Sequence, residues 1–354
     1  MKTQVLIIGG GFGGVTTAQK LHESGVQTIL VDKKDYFEVT YAVLRESTAQ
    51  GQFKGKPRRY YRDILAGQFV QSGVKTLQNN IVLLENGECI EFEQVVIASG
   101  SRYPTLPLAK SMDAHSLNDR ENELRQHYAQ LKDATEILII GGGVVGVELA
   151  GEIAYAFKDK VVTLAHKDKA LLCGFSQKAQ RKAHKQLEEL GVQIKLNSDY
   201  QRCAKTQDYQ DKRSTDVLKP DMVLCATGTK PNNAFLQENF SHILNDKGLI
   251  LVNDTLQVVD HENFYALGDI ADVGEAKLGY LAVEQGKYLA KRIVRKRQGK
   301  SVKAYKRNPF MALIPTGQKT GIVQTPLFTS TCNHFVNIKQ KDLFITKTYK
   351  AFAK

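Results

Sequence analysis

The chain has 354 residues, 42% hydrophobic and 24% charged, and Lys and Arg outnumber Asp and Glu by 49 to 37 for a net charge of +12. That composition excludes disordered, collagen-like and disulfide-scaffold proteins, and no apolar run approaches the roughly 18 residues of a spanning helix. The amino terminus runs straight into a strand pattern without a signal sequence, and Lys2 stands where N-myristoylation requires glycine, so a cytoplasmic location is expected.

Val5-Leu6-Ile7-Ile8 reads as a strand buried on both faces, leading into Gly9-Gly10-Gly11-Phe12-Gly13-Gly14. Gly9, Gly11 and Gly14 fill G-x-G-x-x-G. These glycines close a tight turn, admit a pyrophosphate to the backbone and permit close helix packing, and the next helix aims its unpaired N–H groups at the phosphates. Residues 27–31 read as a second strand ending at Asp32, the acceptor a ribose hydroxyl needs about 20 residues after the glycines. Residues 33–38 read as a loop and Tyr41 to Arg45 as a helix start. Residues 69–77, Ile81–Leu84 and 89–92, the last two joined by Asn86-Gly87, suggest a small antiparallel sheet. Residues 94–98 form another buried strand, closing on Ser99-Gly100.

Pro104 and Pro107 mark a crossover between domains. A helix over 119–131 precedes Ile137-Leu138-Ile139-Ile140 and a second fingerprint, Gly141-Gly142-Gly143-Val144-Val145-Gly146. A helix over 147–157 and a strand over 161–165 follow. Two complete fingerprints imply two dinucleotides, and a protein that needs two passes electrons between them. A helix over 177–190 and strands over 192–196 and 221–226 complete this half. Its end, Ala226-Thr227-Gly228, matches Ala98-Ser99-Gly100 and indicates internal duplication. Residues 264–269 read as a short strand closing on Gly268-Asp269, and residues 281–297 as a long helix with Tyr280 at its start. Beyond residue 303, strand-like pieces at Gly321–Gln324, 334–338 and 343–347 read as a small cap. The expected domains are a discontinuous first unit (1–107 and 229–302), an inserted second unit (108–228) and the cap (303–354).

The five cysteines, Cys89, Cys173, Cys203, Cys225 and Cys332, form no C-x-x-C pair, so neither a metal site nor a dithiol relay is expected. Cys225 reads as a small buried hydrophobe. Basic residues gather at Lys54, Lys56, Arg58, Arg59 and Arg62, and again over 291–307. This charge favours acidic lipid surfaces or anionic substrates; with no recognised module beside it, nucleic acid is not an expected partner.

The doubled fingerprint, the two matching ends and the Gly268-Asp269 motif together resemble the two-dinucleotide flavoprotein reductases. Within them the glycine run 9–14, Asp32-Lys33-Lys34-Asp35, Ala42-Val43-Leu44-Arg45, Gly146-Val147-Glu148, Gly268-Asp269-Ile270-Ala271-Asp272 and Lys341-Asp342-Leu343-Phe344 resemble the ferroptosis suppressor family. That resemblance covers nearly the whole chain, with a looser similarity to type II NADH:quinone oxidoreductases. It implies an α/β fold of two Rossmann-like domains, one for FAD with the NAD(P)H domain inserted in it, and a small α+β C-terminal cap. Gly9, Gly10, Gly11, Phe12, Gly13, Gly14, Asp32 and Lys33 would hold the adenosine and pyrophosphate of FAD, and Val74 would offer backbone to adenine. Arg45 would meet the cofactor near its phosphates or flavin, and Asp269 its ribityl chain. Ser99, Gly100, Tyr280 and Leu281 complete the flavin side. Gly141, Gly143, Gly146, His166 and Gly228 would hold NADH or NADPH, with His166 and Lys167 as cations suited to a 2′-phosphate. Glu148 is the residue expected in catalysis, at the nicotinamide.

The function so implied is an FAD-dependent NAD(P)H:quinone oxidoreductase, hydride passing to the flavin and electrons on to a quinone, with Lys339 and Phe344 at the quinone mouth. The alternatives are a ferredoxin- or rubredoxin-type reductase, a sulfide:quinone oxidoreductase, which requires cysteines at the flavin, and a redox-sensing NAD(P)H-binding protein. Animal members of the family carry a myristoylated glycine where Lys2 stands here, so peripheral membrane contact would come from basic and apolar C-terminal surface. A homodimer is the remaining expected partner.

Overall fold

Uninterrupted runs of Ile, Leu and Val make the central strands of two parallel sheets. In the first, Lys2–Ile8 lies between Thr28–Asp32 and Cys89–Ile97, parallel to both. Gln68–Gln71 extends one side and Phe264–Ala266 pairs with the far half of Cys89–Ile97. The near half of that long strand instead carries Ile81–Leu84 and Val74–Leu77 in antiparallel register. In the computed structural model, which describes all residues except 50, 54, 55, 205, 353 and 354, Lys54 of the early basic run lies outside the described residues.

The second sheet repeats the scheme in the order Gln193–Leu196, Val161–His166, Glu136–Ile140, Met222–Cys225, all parallel. Its antiparallel addition is the three-stranded meander Tyr200–Arg202, Tyr209–Asp211, Val217–Leu218. The duplication thus extends from the glycine turns to the whole unit. The chain enters and leaves this unit side by side, because Ser101–Arg102 pairs antiparallel with Lys230–Pro231. Ser99 and Asn232 reinforce the crossing with reciprocal side-chain to backbone bonds of 2.8 Å.

Helices cover both sheets. Phe12–Glu23 packs along Gly279–Arg297, where a Cβ on Gly286 would press on the Gly13 carbonyl. Leu117–Asp133 starts at Ser116, whose hydroxyl accepts the Asp119 N–H at 3.0 Å as a helix N-cap. Its Arg120 is fully buried against Glu38. Glu38 ends the strand Tyr36–Glu38, which pairs with Arg58–Tyr60 where a loop is expected from sequence. The reason is non-local: Arg58 and Arg120 both neutralise Glu38 inside the protein, and neither is its neighbour in sequence. Cys225, expected inside, is only half-buried.

The carboxyl-terminal part bridges the two units. Ala312–Pro315, Gly321–Gln324 and Thr329–Ser330 form an antiparallel sheet, whose Ile314 and Ile322 join the core of the second unit. The two segments after it, read as strands from sequence, are the helices Asn333–Gln340 and Ile345–Phe352. Their buried positions explain the change: Val336, Lys339, Gln340 and Leu343, then Ile345, Tyr349 and Phe352, recur at helical spacings rather than alternating. Leu343, Ile345, Tyr349 and Phe352 join the core of the first unit.

Candidate active site between two nucleotide cradles

Each glycine of the first fingerprint has a steric task. Gly9 has φ +106° beside the Ala98 carbonyl, and a Cβ on Gly14 would overlap the Gly9 carbonyl oxygen. Gly11, which caps the helix Phe12–Glu23, faces open space, where a phosphate can reach the first-turn amides. The second turn repeats this atom for atom: Gly141 has φ +115° beside the Ala226 carbonyl, Gly146 abuts the Gly141 carbonyl, and Gly143 is open. Two cradles that a methyl group would close, each with an open amide face, fit two dinucleotide pyrophosphates.

Asp32 closes the first cradle, accepting from Gly10 N–H at 2.6 Å and Lys34 N–H at 2.8 Å. His166 takes the corresponding place in the second, its Nδ1 accepting from Gly142 N–H at 3.1 Å. A ring that accepts there is neutral, and burial holds its pKa below the usual histidine value. The structure thus differs from the expected pair of cations in engaging His166 as an acceptor at the second turn. Ser72 N–H donates to the Asp32 carbonyl at 2.9 Å, bringing the start of Val74–Leu77 beside the ribose acceptor. Lys33 points to Glu85, at 2.7 Å.

Asp269 stands above the first cradle. Burial disfavours its charge, but Lys110 at 2.7 Å and the Ser101 hydroxyl at 2.6 Å outweigh this and hold the carboxyl below the usual carboxylate range. A carboxylate with two donors so placed suits polyhydroxyl recognition. Gly268, Asp269, Lys277, Leu278, Leu281 and Gln285 line a crevice at the start of Gly279–Arg297, so Leu281 belongs to this wall. The Tyr280 hydroxyl turns to the cap instead, donating to the Pro309 carbonyl at 2.9 Å. Ser99 is engaged with Asn232, while Gly100 and Gly228 have φ +66° and +117° with open faces.

Arg45 departs from expectation. Its guanidinium is buried in the Glu152 carboxylate, with bonds of 2.7 to 3.1 Å, and reaches both the carbonyl and the side chain of Gln340. One residue from each unit and one from the cap meet there, and the cation is held in a buried ion pair.

Glu148, in the helix Val144–Ala156, pairs with Lys339 of the cap at 3.0 Å. The same ammonium bonds the Leu313 carbonyl and lies over the Tyr41 ring. Tyr41 stacks on Phe12 of the first fingerprint, with centroids 4.9 Å apart, and meets Phe344 edge-on. Leu343 and Phe344 both have positive φ, 50° and 62°, an uncommon backbone that turns Phe344 to this cluster. Burial, then the charges of Asp269 and Glu148, push the Tyr103 hydroxyl up to about 12. Sequence reasoning reached Glu148, Lys339 and Phe344. It missed Tyr41, Tyr103 and Lys110, although Tyr41 precedes the quoted Ala42-Val43-Leu44-Arg45 segment directly.

Two phosphate cradles on duplicated α/β units, facing each other across an aromatic and carboxylate cluster, define a flavoprotein oxidoreductase with FAD as resident cofactor and NAD(P)H as co-substrate. Residues 3–286 match the family model described as pyridine nucleotide-disulphide oxidoreductase. The chain belongs to that family, and within it to the ferroptosis suppressor proteins. It is 32% identical to Ferroptosis suppressor protein 1 of Xenopus tropicalis over 98% of this chain and 95% of that protein. The human protein of the same name is also 32% identical, with the same coverage of both chains. Among solved structures, the sulfide:quinone oxidoreductase of Aquifex aeolicus superposes with TM-score 0.79 at 16% identity, over 99% of this chain and 92% of that one, a likeness of fold. No helix among the described residues is long and apolar enough to cross a membrane.

Proposed function

We propose that this chain is an FAD-dependent NAD(P)H:quinone oxidoreductase. The observation that carries the reading is the continuous series Phe12, Tyr41, Lys339, Glu148, which joins the first cradle, the cap and the second cradle within direct contacts. FAD, when bound, supplies hydride acceptance from the coenzyme and electron release to the acceptor. The chain's share is to hold and orient. Gly9, Gly11, Gly14 and Asp32 would hold the adenosine diphosphate of FAD, and Asp269 with Lys110 its polyol. Gly141, Gly143 and Gly146 would hold the coenzyme pyrophosphate. Glu148, held by its pairing with Lys339, would orient the nicotinamide amide. The rings of Tyr41 and Phe344 would offer a flat apolar ring such as a quinone a stacking surface, with the Lys339 ammonium beside it to favour negative charge on the acceptor.

The test is an absorbance spectrum of the purified protein followed by NADH and NADPH titration. The flavin band should bleach with reduced coenzyme and return on adding a short-tailed quinone. A flavin that stays oxidised, or one that only an iron–sulfur protein reoxidises, would overturn the quinone reading. We infer further that the cap meets a lipid surface. Leu327 is 93% exposed and Ile338 56%, and the exposed Phe328 and Phe335 pack together, an apolar patch on the cap. Leu327→Asp should lower flotation with anionic vesicles; unchanged flotation, or loss of a dimer in its place, would assign the patch elsewhere.

A further inference from the structure

We propose that His166, Asp168 and Cys173 form a binding site for a thiophilic divalent cation, Zn2+ by its chemistry, at the edge of the second cradle, and that occupancy of this site opposes NAD(P)H binding. The metal site stands on its own geometry; the antagonism rests on reading the second cradle as the coenzyme site.

The three ligand atoms already stand at the corners of a coordination face. Cys173 Sγ lies 3.6 Å from His166 Nε2 and 3.5 Å from Asp168 Oδ2, and those two are 3.4 Å apart. A tetrahedral Zn2+ with bonds of about 2.3 Å to sulfur and about 2.0–2.1 Å to nitrogen and oxygen separates its ligand atoms by about 3.3–3.6 Å. All three edges agree with that face. The donor set, one thiolate, one imidazole and one carboxylate, suits zinc better than the oxygen-seeking Mg2+ or Ca2+. Asp168 and Cys173 are exposed, which leaves the fourth position to water or a ligand.

The loop that presents these atoms is held in an uncommon conformation. Leu172, directly before Cys173, has φ +55°, which a leucine adopts only when its surroundings enforce it. The enforcing contacts are visible: Leu172 N–H donates to the Gly142 carbonyl at 2.8 Å, and Leu171 is buried against the Gly142 backbone. The backbone that folds Cys173 toward His166 is therefore pinned to the second glycine turn. Metal-ligand spacing in cysteines alone could not disclose this site, because its donors are of three residue types.

Proton accounting links the metal to the turn. With Nδ1 accepting from Gly142 N–H, the ring proton sits on Nε2. Zn2+ displaces it to Nδ1 and displaces the Cys173 thiol proton to solvent, so one proton is released for each metal bound. A proton on Nδ1 faces the Gly142 N–H and breaks that bond. Metal occupancy therefore costs the second turn this closing bond, and the antagonism rests on His166 serving both.

The experiment uses chelator-treated, FAD-loaded protein, with Zn2+ in calorimetry and Co2+ as a spectroscopic probe read beyond the flavin absorbance. One Zn2+ should bind per chain, and Co2+ should give intense tetrahedral ligand-field bands. Cys173→Ala and Asp168→Ala should each weaken binding by more than the roughly 10- to 100-fold that loss of an outer-shell partner costs, while Cys173→Ala keeps metal-free turnover. His242→Ala is the control for the other close pair, His242 and His261, whose Nε2 atoms are 3.4 Å apart. Absence of tetrahedral bands, equal affinity in Cys173→Ala, or loss of binding in His242→Ala would overturn the site. Zn2+ should also raise KM for NAD(P)H several-fold without moving KM for the electron acceptor. Binding with an unmoved KM would overturn the antagonism alone. The Co2+ spectrum needs no turnover, so a failed quinone assay leaves the metal result intact.

Discussion

Replacing Glu152 by Leu tests whether the three-way contact at Arg45 is a structural lock. Both side chains are 3% exposed, and Arg45 makes three bonds to the carboxylate. Removing the acid leaves a guanidinium inside the protein with only Gln340 to solvate it, and an uncompensated buried charge of this kind costs about 3–5 kcal/mol. At about 1.4 kcal/mol per factor of ten, the folded fraction relative to unfolded should fall by about two to three and a half orders of magnitude. The double variant Arg45→Met, Glu152→Leu removes both charges and should recover most of the loss, since apolar replacement of a buried pair is often neutral. The assay is urea denaturation at fixed excess FAD, followed by circular dichroism and flavin fluorescence, with the coupling taken from the double-mutant cycle. A Glu152→Leu protein within about 1 kcal/mol of wild type, or losses that simply add in the double variant, would refute the lock.

Further expectations separate the two cradles. Gly14→Ala should purify without flavin, whereas Gly146→Ala should stay yellow but no longer bleach with NAD(P)H, as each Cβ would strike a carbonyl of its own turn only; absorbance at the flavin band reads both. Glu148→Ala should keep FAD yet lower kcat/KM for NAD(P)H by about 10- to 100-fold, the worth of a charged hydrogen bond; unchanged turnover would remove Glu148 from the mechanism. His127, in the helix Leu117–Asp133, is held down to about 4 by burial and then by Arg120. A base whose folded pKa is depressed stabilises the fold above its ordinary value of 6.5 and loses that contribution as pH falls toward about 4. Denaturation midpoints measured across that window should fall in the wild type and flatten in His127→Leu.

What the sequence discloses of this fold is what sterics enforce locally. Gly9, Gly14, Gly141 and Gly146 each stand where a side chain would collide with backbone, so the residue type itself is the signal, and both cradles are legible from it. Asp32 is legible for the same reason, at a fixed offset from the turn it closes. The strand at Tyr36 is not, because its stability comes from a partner strand and from two arginines at positions 58 and 120. The final helices are rich enough in β-branched and aromatic residues to pass for strands until their buried faces are known. Glu148 and Lys339 were each nameable, but their pairing spans 191 positions and only the folded cap brings them together. Arg45 misled because a conspicuous cation near a nucleotide fingerprint invites a phosphate, whereas an acid on the neighbouring unit had already claimed it.

The ribbon formed by Ser101–Arg102 and Lys230–Pro231 gives the inserted unit a single doorway. A module attached in this way is a natural cassette. Grafting a relative's nucleotide unit between these two strands would test whether coenzyme choice travels with it, provided the graft carries an acid able to meet Arg45, a partner for Lys339 and a face for Ile314 and Ile322.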